Sequence, residues 1–299
     1  MSMDLQGKVA LITGAGLGIG RATALAMGRV GARVVVNDID GDAAQAVVDE
    51  IVAAGGEAVA VAAPIGTDGS AEACVGAAVE AFGRLDTLFA CAGVLRDSVL
   101  WKTGDDTFDL VVGTHLKGTF QCGRAAARQF RAQGGGGSLI LTASPAGQQG
   151  NFGQGAYAAA KSGIVGMMRS WALELTRDRV TVNAIVPTAL TRMTATIPAL
   201  APHVAAMERG EALPQPLREK GIGMPEDVAP LVVFLASDAA RDVTGQALGI
   251  GGDRLSLWSH PAEIRVLQQA GGWSAETIAE SWDEVAAEGL QPVGVPLDF

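Results

Sequence analysis

Tyr157 is the only tyrosine in this chain of 299 residues, and Lys161 follows it four positions later. Residues at i and i+4 share a face of a helix. A phenol has a reference pKa of about 10. It exchanges protons near neutral pH only where nearby positive charge favours the phenolate. Lys161 offers one such charge. A shift of three units corresponds to roughly 4 kcal/mol, within the reach of two close cations. Ser144 stands thirteen residues before Tyr157. Its hydroxyl could hold a substrate oxygen that the phenol protonates or deprotonates. A Y-x-x-x-K spacing alone is common. With the serine it suits proton transfer at an alcohol or carbonyl oxygen.

A second group lies near the N-terminus. TGAGLGIG at 13–20 places Gly14, Gly18, Ile19 and Gly20 between a β-rich run, KVALI at 8–12, and a helix-like segment. Glycines let the backbone turn sharply and approach a pyrophosphate, and a helix N-terminus adds free N–H groups. Asp38 ends the next apolar run, RVVVN at 33–37, 18 residues past Gly20. A carboxylate there accepts hydrogen bonds from adenosine ribose hydroxyls and repels a 2′-phosphate. Ala15, Leu17 and Ile39 offer no phosphate clamp, and Arg21 and Arg33 are the nearest cations. NAD is therefore favoured over NADP. An oxidised nicotinamide would bring the second positive charge to Tyr157.

The elements that must position these residues follow a regular alternation. Strand-like runs at 8–12, 33–37, 57–61, 86–90, 138–143, 180–186 and 246–250 are separated by helical patterns. Those helices are expected near 41–56, 70–83, 113–133, 155–177 and 226–236, with Ser70 as the N-cap of the second. Strands apolar on both faces mark a parallel sheet covered on both sides. The expected fold is α/β: a doubly wound, Rossmann-like parallel sheet with helices on both faces. Residues 1–252 make up this single domain, including a Pro-, Thr- and Ala-rich segment at 188–224 of the length expected for a substrate lid. Residues 253–299 form a C-terminal extension with Trp258, Trp273 and Trp282 as aromatic anchors and one helix capped by Ser274. The extension is expected to pack on its own subunit or on a partner, near the lid.

Composition narrows the function. The chain is 48% apolar, with a formal net charge of −10 and no basic tract, which excludes a nucleic-acid partner. No apolar run approaches the roughly 20 residues of a membrane span. The N-terminus lacks the pattern of a secretory signal. Cys74, Cys91 and Cys122 are odd in number and sit in no C-x-x-C, so they read as thiols of a reducing cytoplasm and not as a disulfide or metal set.

Taken together, these residues resemble the short-chain dehydrogenase/reductase family over about residues 6–252. The likeness rests on TGxxxGxG at 13–20, Asp38, Cys91-Ala92-Gly93 after the fourth strand, Ser144, Tyr157-x-x-x-Lys161, and VTVNAIVP ending at Pro187. It implies hydride transfer between a nicotinamide and an alcohol or carbonyl carbon. Tyr157 would be the acid/base, Ser144 would orient the substrate oxygen, and Lys161 would hold the nicotinamide ribose and lower the tyrosine pKa. Ala92, Gly93 and Pro187 would join the glycine turn in holding the cofactor, with Thr191 at the nicotinamide carboxamide. Family members assemble through their long helices, so a homodimer or homotetramer is expected.

Some residues depart from the family pattern. The usual N-N-A-G reads Ala90-Cys91-Ala92-Gly93, and Pro64-Ile65-Gly66 replaces an acid at the adenine. His115, in THLKGTF, stands where the family commonly has an asparagine that holds a water beside the lysine. It is a candidate for that role, or a satisfied helix residue. With LRDS after the fourth strand and LWSHP in the extension, it resembles the dehydrogenase part of D-specific (3R)-hydroxyacyl-CoA multifunctional enzymes and their bacterial relatives. A 3-hydroxyacyl-CoA or steroid-type alcohol is the expected substrate. The alternatives are another hydrophobic alcohol, such as a terpenoid, and an NAD-sensing protein without turnover.

Overall fold

The apolar runs form strands β1 (Val9–Thr13), β2 (Arg33–Asp38), β3 (Ala58–Ala62), β4 (Thr87–Ala90), β5 (Gly137–Thr142), β6 (Val180–Pro187), β7 (Ala247–Gly251) and β8 (Arg254–Trp258). Between them run helices α1 (Gly18–Arg29), α2 (Gly41–Ala53), α3 (Ser70–Phe82), α4 (Asp105–Val112), α5 (Gly118–Gln133), α6 (Pro145–Gln149) and α7 (Gly155–Glu174). Further helices are α8 (Ala201–Glu208), α9 (Gln215–Glu219), α10 (Pro225–Ala236) and α11 (Ala275–Val285). This computed structural model describes residues 3–196 and 200–294. Residues 197–199 of the expected lid and 295–299 of the extension lie outside the described residues.

All the strands join one sheet in the order β3-β2-β1-β4-β5-β6-β7-β8, parallel except for the antiparallel β7–β8 pair. The chain works outward from β1 through β2 to β3, then crosses back to place β4 on the other side of β1. That reversal leaves a crevice at the carboxyl ends of β1 and β4, the place where open α/β sheets bind ligands.

The period-2 alternation of strands divides the core between the two sheet faces. Leu88 and Leu139 point to one side, among Cys74, Phe130 and Met168 from α3, α5 and α7. Phe89 and Ile140 point to the other, among Met27, Val47 and Val232 from α1, α2 and α10. Every residue of β1 and β4 is buried, as a sheet covered on both faces requires. Cys74 and Cys122 lie in the first of these layers, and burial pushes both thiols up to about 12.

Several boundaries differ from the sequence expectation. Ser70 does not cap its helix: Gly69, at φ +82°, is the N-cap, and the Ser70 hydroxyl sits 2.6 Å from that of Thr67. The left-handed backbone there suits glycine and leaves no capping position for Ser70. The helix expected from 113 begins at Asp105, because α4 and α5 are joined through a π turn at Gly113–Lys117. An extra residue in a helical turn breaks the 3.6-residue period, which hides the continuity from sequence patterning. The helix expected to reach 177 ends at Glu174, and residues 176–178 form a 3₁₀ turn.

The segment 188–224 folds over a small core of its own, with Leu190, Leu200, Val204 and Ile222 buried together. Arg218 fastens it to the body. Its Nη1 and Nη2 donate to the Asp227 carboxylate at 2.9 and 3.0 Å, and its Nε donates to Asp253 Oδ1 at 3.0 Å.

The sheet takes in residues that the sequence reading places in the extension, since β8 pairs along β7. Trp258 packs against the core, as an anchor should. Trp273 and Trp282 do not: they are 41% and 48% exposed. The apolar face of α11, Ile278 to Trp282 to Val285, is likewise exposed within the single chain. The Ser274 cap is present, its Oγ accepting from Thr277 N at 3.2 Å. At its far end the extension returns to the body, where Gly294 N donates to Gln149 O at 2.8 Å.

Candidate active site

The crevice opens into a cavity of about 1640 Å³. Its lining includes every candidate catalytic and cofactor-binding residue: Gly14, Gly18, Ile19, Gly20, Asp38, Ala92, Gly93, His115, Ser144, Tyr157, Lys161, Pro187 and Thr191.

Ser144 follows β5 and caps α6, its Oγ accepting from Ala146 N at 3.2 Å. The same hydroxyl acts on the Tyr157 phenol, favouring its ionised form. Tyr157 and Lys161 lie one turn apart on α7, as their spacing requires. The Lys161 ammonium sits 5.5 Å from the centre of the Tyr157 ring and donates to Thr142 O at 2.6 Å. Gly147 lets α6 lie directly on α7, because a Cβ there would come within 2.6 Å of Lys161 Cβ.

In the free chain burial raises Tyr157 to about 12, with Ser144 opposing; the lowering expected from Lys161 and an oxidised nicotinamide together belongs to the loaded site. Burial also lowers Lys161 to about 8. In the free chain the Lys161 charge does not offset desolvation of a phenolate. The chain alone therefore holds Tyr157 as the neutral phenol. Because Tyr157 is the sole tyrosine, phenolate absorbance reads it directly. In a pH titration of the free protein the ultraviolet phenolate signal should stay flat past pH 10 and rise only towards about 12. A signal at or below the free-phenol midpoint would contradict this site electrostatics.

His115 lies in the π turn and is 2% exposed. Its ring meets Tyr157 edge-on at 5.1 Å, and Nε2 lies 2.6 Å from Val94 O. Burial and the Lys161 charge hold its pKa down at about 3, so the ring is neutral. Val94 N also points at Nε2, at 3.1 Å, so the tautomer decides whether Nε2 donates to Val94 O or accepts from Val94 N, and Nδ1 is buried without a partner among the described residues. The neighbouring glycine is fixed by this ring, since a Cβ on Gly93 would collide with His115 Cε1. If the ring serves by offering a hydrogen-bonding atom, His115→Asn should retain most turnover and His115→Leu should lose it. Equal activity in both variants would reduce His115 to packing.

The sequence reading missed Gln154, which is buried at the entry to α7 and lines the cavity. Its Nε2 donates to both oxygens of Asp97 at 3.1 Å, while its Oε1 accepts from Asn151 at 2.9 Å. The available signal was its position three residues before Tyr157, at the N-cap of α7.

At the other end, the glycine turn forms a close cradle. Gly14 and Gly18 adopt φ +65° and +56°. A Cβ on Gly14 would lie 2.7 Å from Ala92 Cα, and one on Gly20 would collide with Gly14 O. Thr13 Oγ1 accepts from both Cys91 N and Ala92 N at 3.1 Å, tying this strand end to the turn where the family's asparagines are missing. Asp38 lies against the turn, its Oδ2 accepting from Gly16 N at 2.9 Å and its Oδ1 from Asp40 N at 3.1 Å. Thr191 arches over Gly18, its Cγ2 3.7 Å from where a Cβ would stand. A backbone cradle closed to side chains, a helix N-terminus and a carboxylate at the second strand fit a dinucleotide. Among the described residues no three His, Cys, Asp or Glu side chains are grouped to hold a metal ion. No helix among them is long and apolar enough to cross a membrane.

A family model described as enoyl-(acyl carrier protein) reductase matches residues 14–252, the stretch that carries both the cradle and the Ser144-Tyr157-Lys161 group. The chain belongs to the short-chain dehydrogenase/reductase family. It is 43% identical over 271 residues to the hydroxyacyl-CoA dehydrogenase ChsB1 of Mycobacterium tuberculosis, covering 86% of this chain and 81% of that one. It is 41% identical over 245 residues to the peroxisomal multifunctional enzyme type 2 of Drosophila melanogaster. That match covers 79% of this chain but only 38% of the longer enzyme. A crystal structure of a short-chain dehydrogenase from Mycobacterium avium superimposes with a TM-score of 0.84 at 39% identity, covering 97% of this chain and 98% of that one. The doubly wound sheet expected from the sequence is the fold shared with this structure. In this oxidoreductase-family chain Ser144, Tyr157 and Lys161 line one cavity with the glycine turn.

Proposed function

We propose that the protein interconverts a 3-hydroxyacyl-CoA and its 3-oxo counterpart, with NAD as the hydride partner. The observation that carries this reading is the convergence of Ser144, Tyr157 and Lys161 on a cavity continuous with the glycine cradle. Ser144 Oγ and the Tyr157 phenol act on each other, so a substrate oxygen that reaches both is held by both. When bound, the nicotinamide exchanges the hydride, and its oxidised ring adds positive charge beside the phenol. Tyr157 holds the proton at its hydroxyl, ready to donate to a ketone oxygen. For the reverse direction it must lose that proton, so alcohol oxidation should rise with pH while ketone reduction falls. Lys161, fixed on Thr142 O, has its charge where a ribose hydroxyl and the phenol are both in reach. The acyl-CoA assignment draws on the ChsB1 likeness.

NAD is preferred over NADP because both nearby cations are committed. Arg21 Nη2 donates to both Glu50 oxygens at 2.7 Å. The Arg33 guanidinium lies over the Phe82 ring at 5.5 Å and donates to Gly7 O. Asp38 is left facing the ribose position without a cation beside it.

We place the protein in a reducing cytoplasm as a homodimer or homotetramer joined through α5 and α7, whose outer faces expose Phe120 and Leu173. Light scattering decides this, and a monomer would refute it.

The activity test follows reduced-cofactor absorbance with NAD or NADP and a panel of 3-hydroxyacyl-CoAs, steroids and terpenoid alcohols. Turnover is expected with the thioesters and NAD. Turnover of steroids or terpenoids alone would overturn the thioester reading, and no turnover with any alcohol would favour a sensor.

A further inference from the structure

We infer that Arg254 is the binding residue for a phosphate on the nucleotide handle of an acyl-CoA substrate. This rests on the thioester reading above and goes beyond it by assigning the group that recognises CoA itself.

Arg254 opens β8, the strand that no sequence pattern announced, and it lines the same cavity as Tyr157. It pairs in register with Gly251. Three segments meet at that point. A Cβ on Gly251 would collide with the carbonyls of both Thr188 and Gly221, so the end of β6, the lid and the β7–β8 turn are packed backbone to backbone. The side chain of Arg254 is laid across Gly221, whose φ of +88° favours glycine, with its Cδ 2.9 Å from where a Cβ would stand. Its stem is thus placed by the fold.

Its charge is not neutralised. The guanidinium makes one long contact, Nη1 to Lys220 O at 3.5 Å. No carboxylate among the described residues forms an ion pair with it. The acid beside it in sequence, Asp253, is used elsewhere: Oδ1 accepts from Arg218 and Oδ2 from Gln215 Nε2 at 2.9 Å. Glu208 and Glu226 line the cavity without pairing to Arg254. The guanidinium is therefore open to a ligand from the cavity it lines. It suits an arriving anion, and a guanidinium matches a phosphate with two parallel N–H donors.

The cofactor does not account for this cation. Arg192 also lines the cavity, but it follows Thr191 directly, and Thr191 arches over the phosphate-binding turn at Gly18. Arg192 is thus tied through its neighbour to the turn, whereas among the described residues no contact joins Arg254 to the turn. Arg254 is held against the far end of the lid, at Lys220 and Gly221. Farther along the same face of β8, Ser256 and Trp258 also line the cavity. Alternate residues of a strand are about 7 Å apart, so the strip presents a cation, a hydroxyl and an aromatic ring in sequence. That order suits a phosphorylated nucleotide lying along the strand.

The test compares 3-hydroxybutyryl-CoA, its dephospho-CoA analogue, its N-acetylcysteamine thioester, which has no phosphate, and the same acyl group on an acyl carrier protein. The wild type should prefer the CoA thioester through KM. Arg254→Gln should raise KM for the CoA thioester roughly tenfold, with kcat within about twofold, and the preference over the N-acetylcysteamine thioester should disappear. Arg254→Lys should restore part of that preference, and added salt should narrow the gap between wild type and Arg254→Gln. A wild type that handles the CoA and N-acetylcysteamine thioesters alike would overturn the assignment without any variant. So would an equal loss on both thioesters in Arg254→Gln, or a preference for the carrier-protein thioester. A wild type inactive on every thioester, yet active on other alcohols, would overturn the underlying reading instead.

Discussion

Replacing Tyr157 with phenylalanine should lower turnover by about 10²- to 10⁴-fold, the usual contribution of a positioned acid–base group. NAD affinity should hardly change. The ring is held from one side by His115, edge-on at 5.1 Å, and phenylalanine keeps that contact. The cradle at Gly14, Gly18 and Gly20 lies on another element and does not involve the phenol. What the variant loses is the oxygen on which Ser144 acts and which holds the transferring proton. Single-turnover kinetics would show the loss in the chemical step, and calorimetry with NAD would show retained binding. A variant keeping more than about half of wild-type turnover would remove Tyr157 from the mechanism, because an acid–base contribution is far larger than that.

The fold was legible because strand and helix periods are local properties. Leu88 with Phe89 and Leu139 with Ile140 alternate between the sheet faces, and their apolar runs announce buried strands wherever the sequence places them. The site was legible for a similar reason: Tyr157 and Lys161 are one turn apart, and the glycine turn lies within eight residues. What stayed hidden depends on tertiary context. β8 is a five-residue edge strand whose residues are mostly exposed, so RLSLW carries no alternation that a core would enforce. The π turn hid the joining of α4 to α5 and the inward aim of His115. The sign of the Tyr157 shift could not be read from spacing at all, because it is set by how much water burial removes rather than by which charges are near in sequence. Gln154 was missed because its partner Asp97 is 57 residues away in the chain.

Combining Asp38→Ala with Ile39→Arg should raise the ratio of kcat/KM for NADP over NAD by on the order of 10²-fold. Two changes act together. The carboxylate that now stands at the end of β2 repels a 2′-phosphate, and its removal relieves that repulsion. Ile39 is 75% exposed beside it, so an arginine there extends into solvent at the ribose without displacing core. Its guanidinium can take the phosphate with two N–H donors. The native arginines cannot do this from where they are: Arg21 is held by Glu50 and Arg33 by Phe82 and Gly7 O. Asp38 also accepts from Gly16 N and Asp40 N, so its loss loosens the turn and weakens both cofactors. For that reason the ratio is the readout and not either constant alone. Initial rates with each cofactor at fixed alcohol give it directly. A ratio unchanged from wild type would show that Asp38 braces the turn without reading the ribose, and that the NAD preference must be set elsewhere along the cavity.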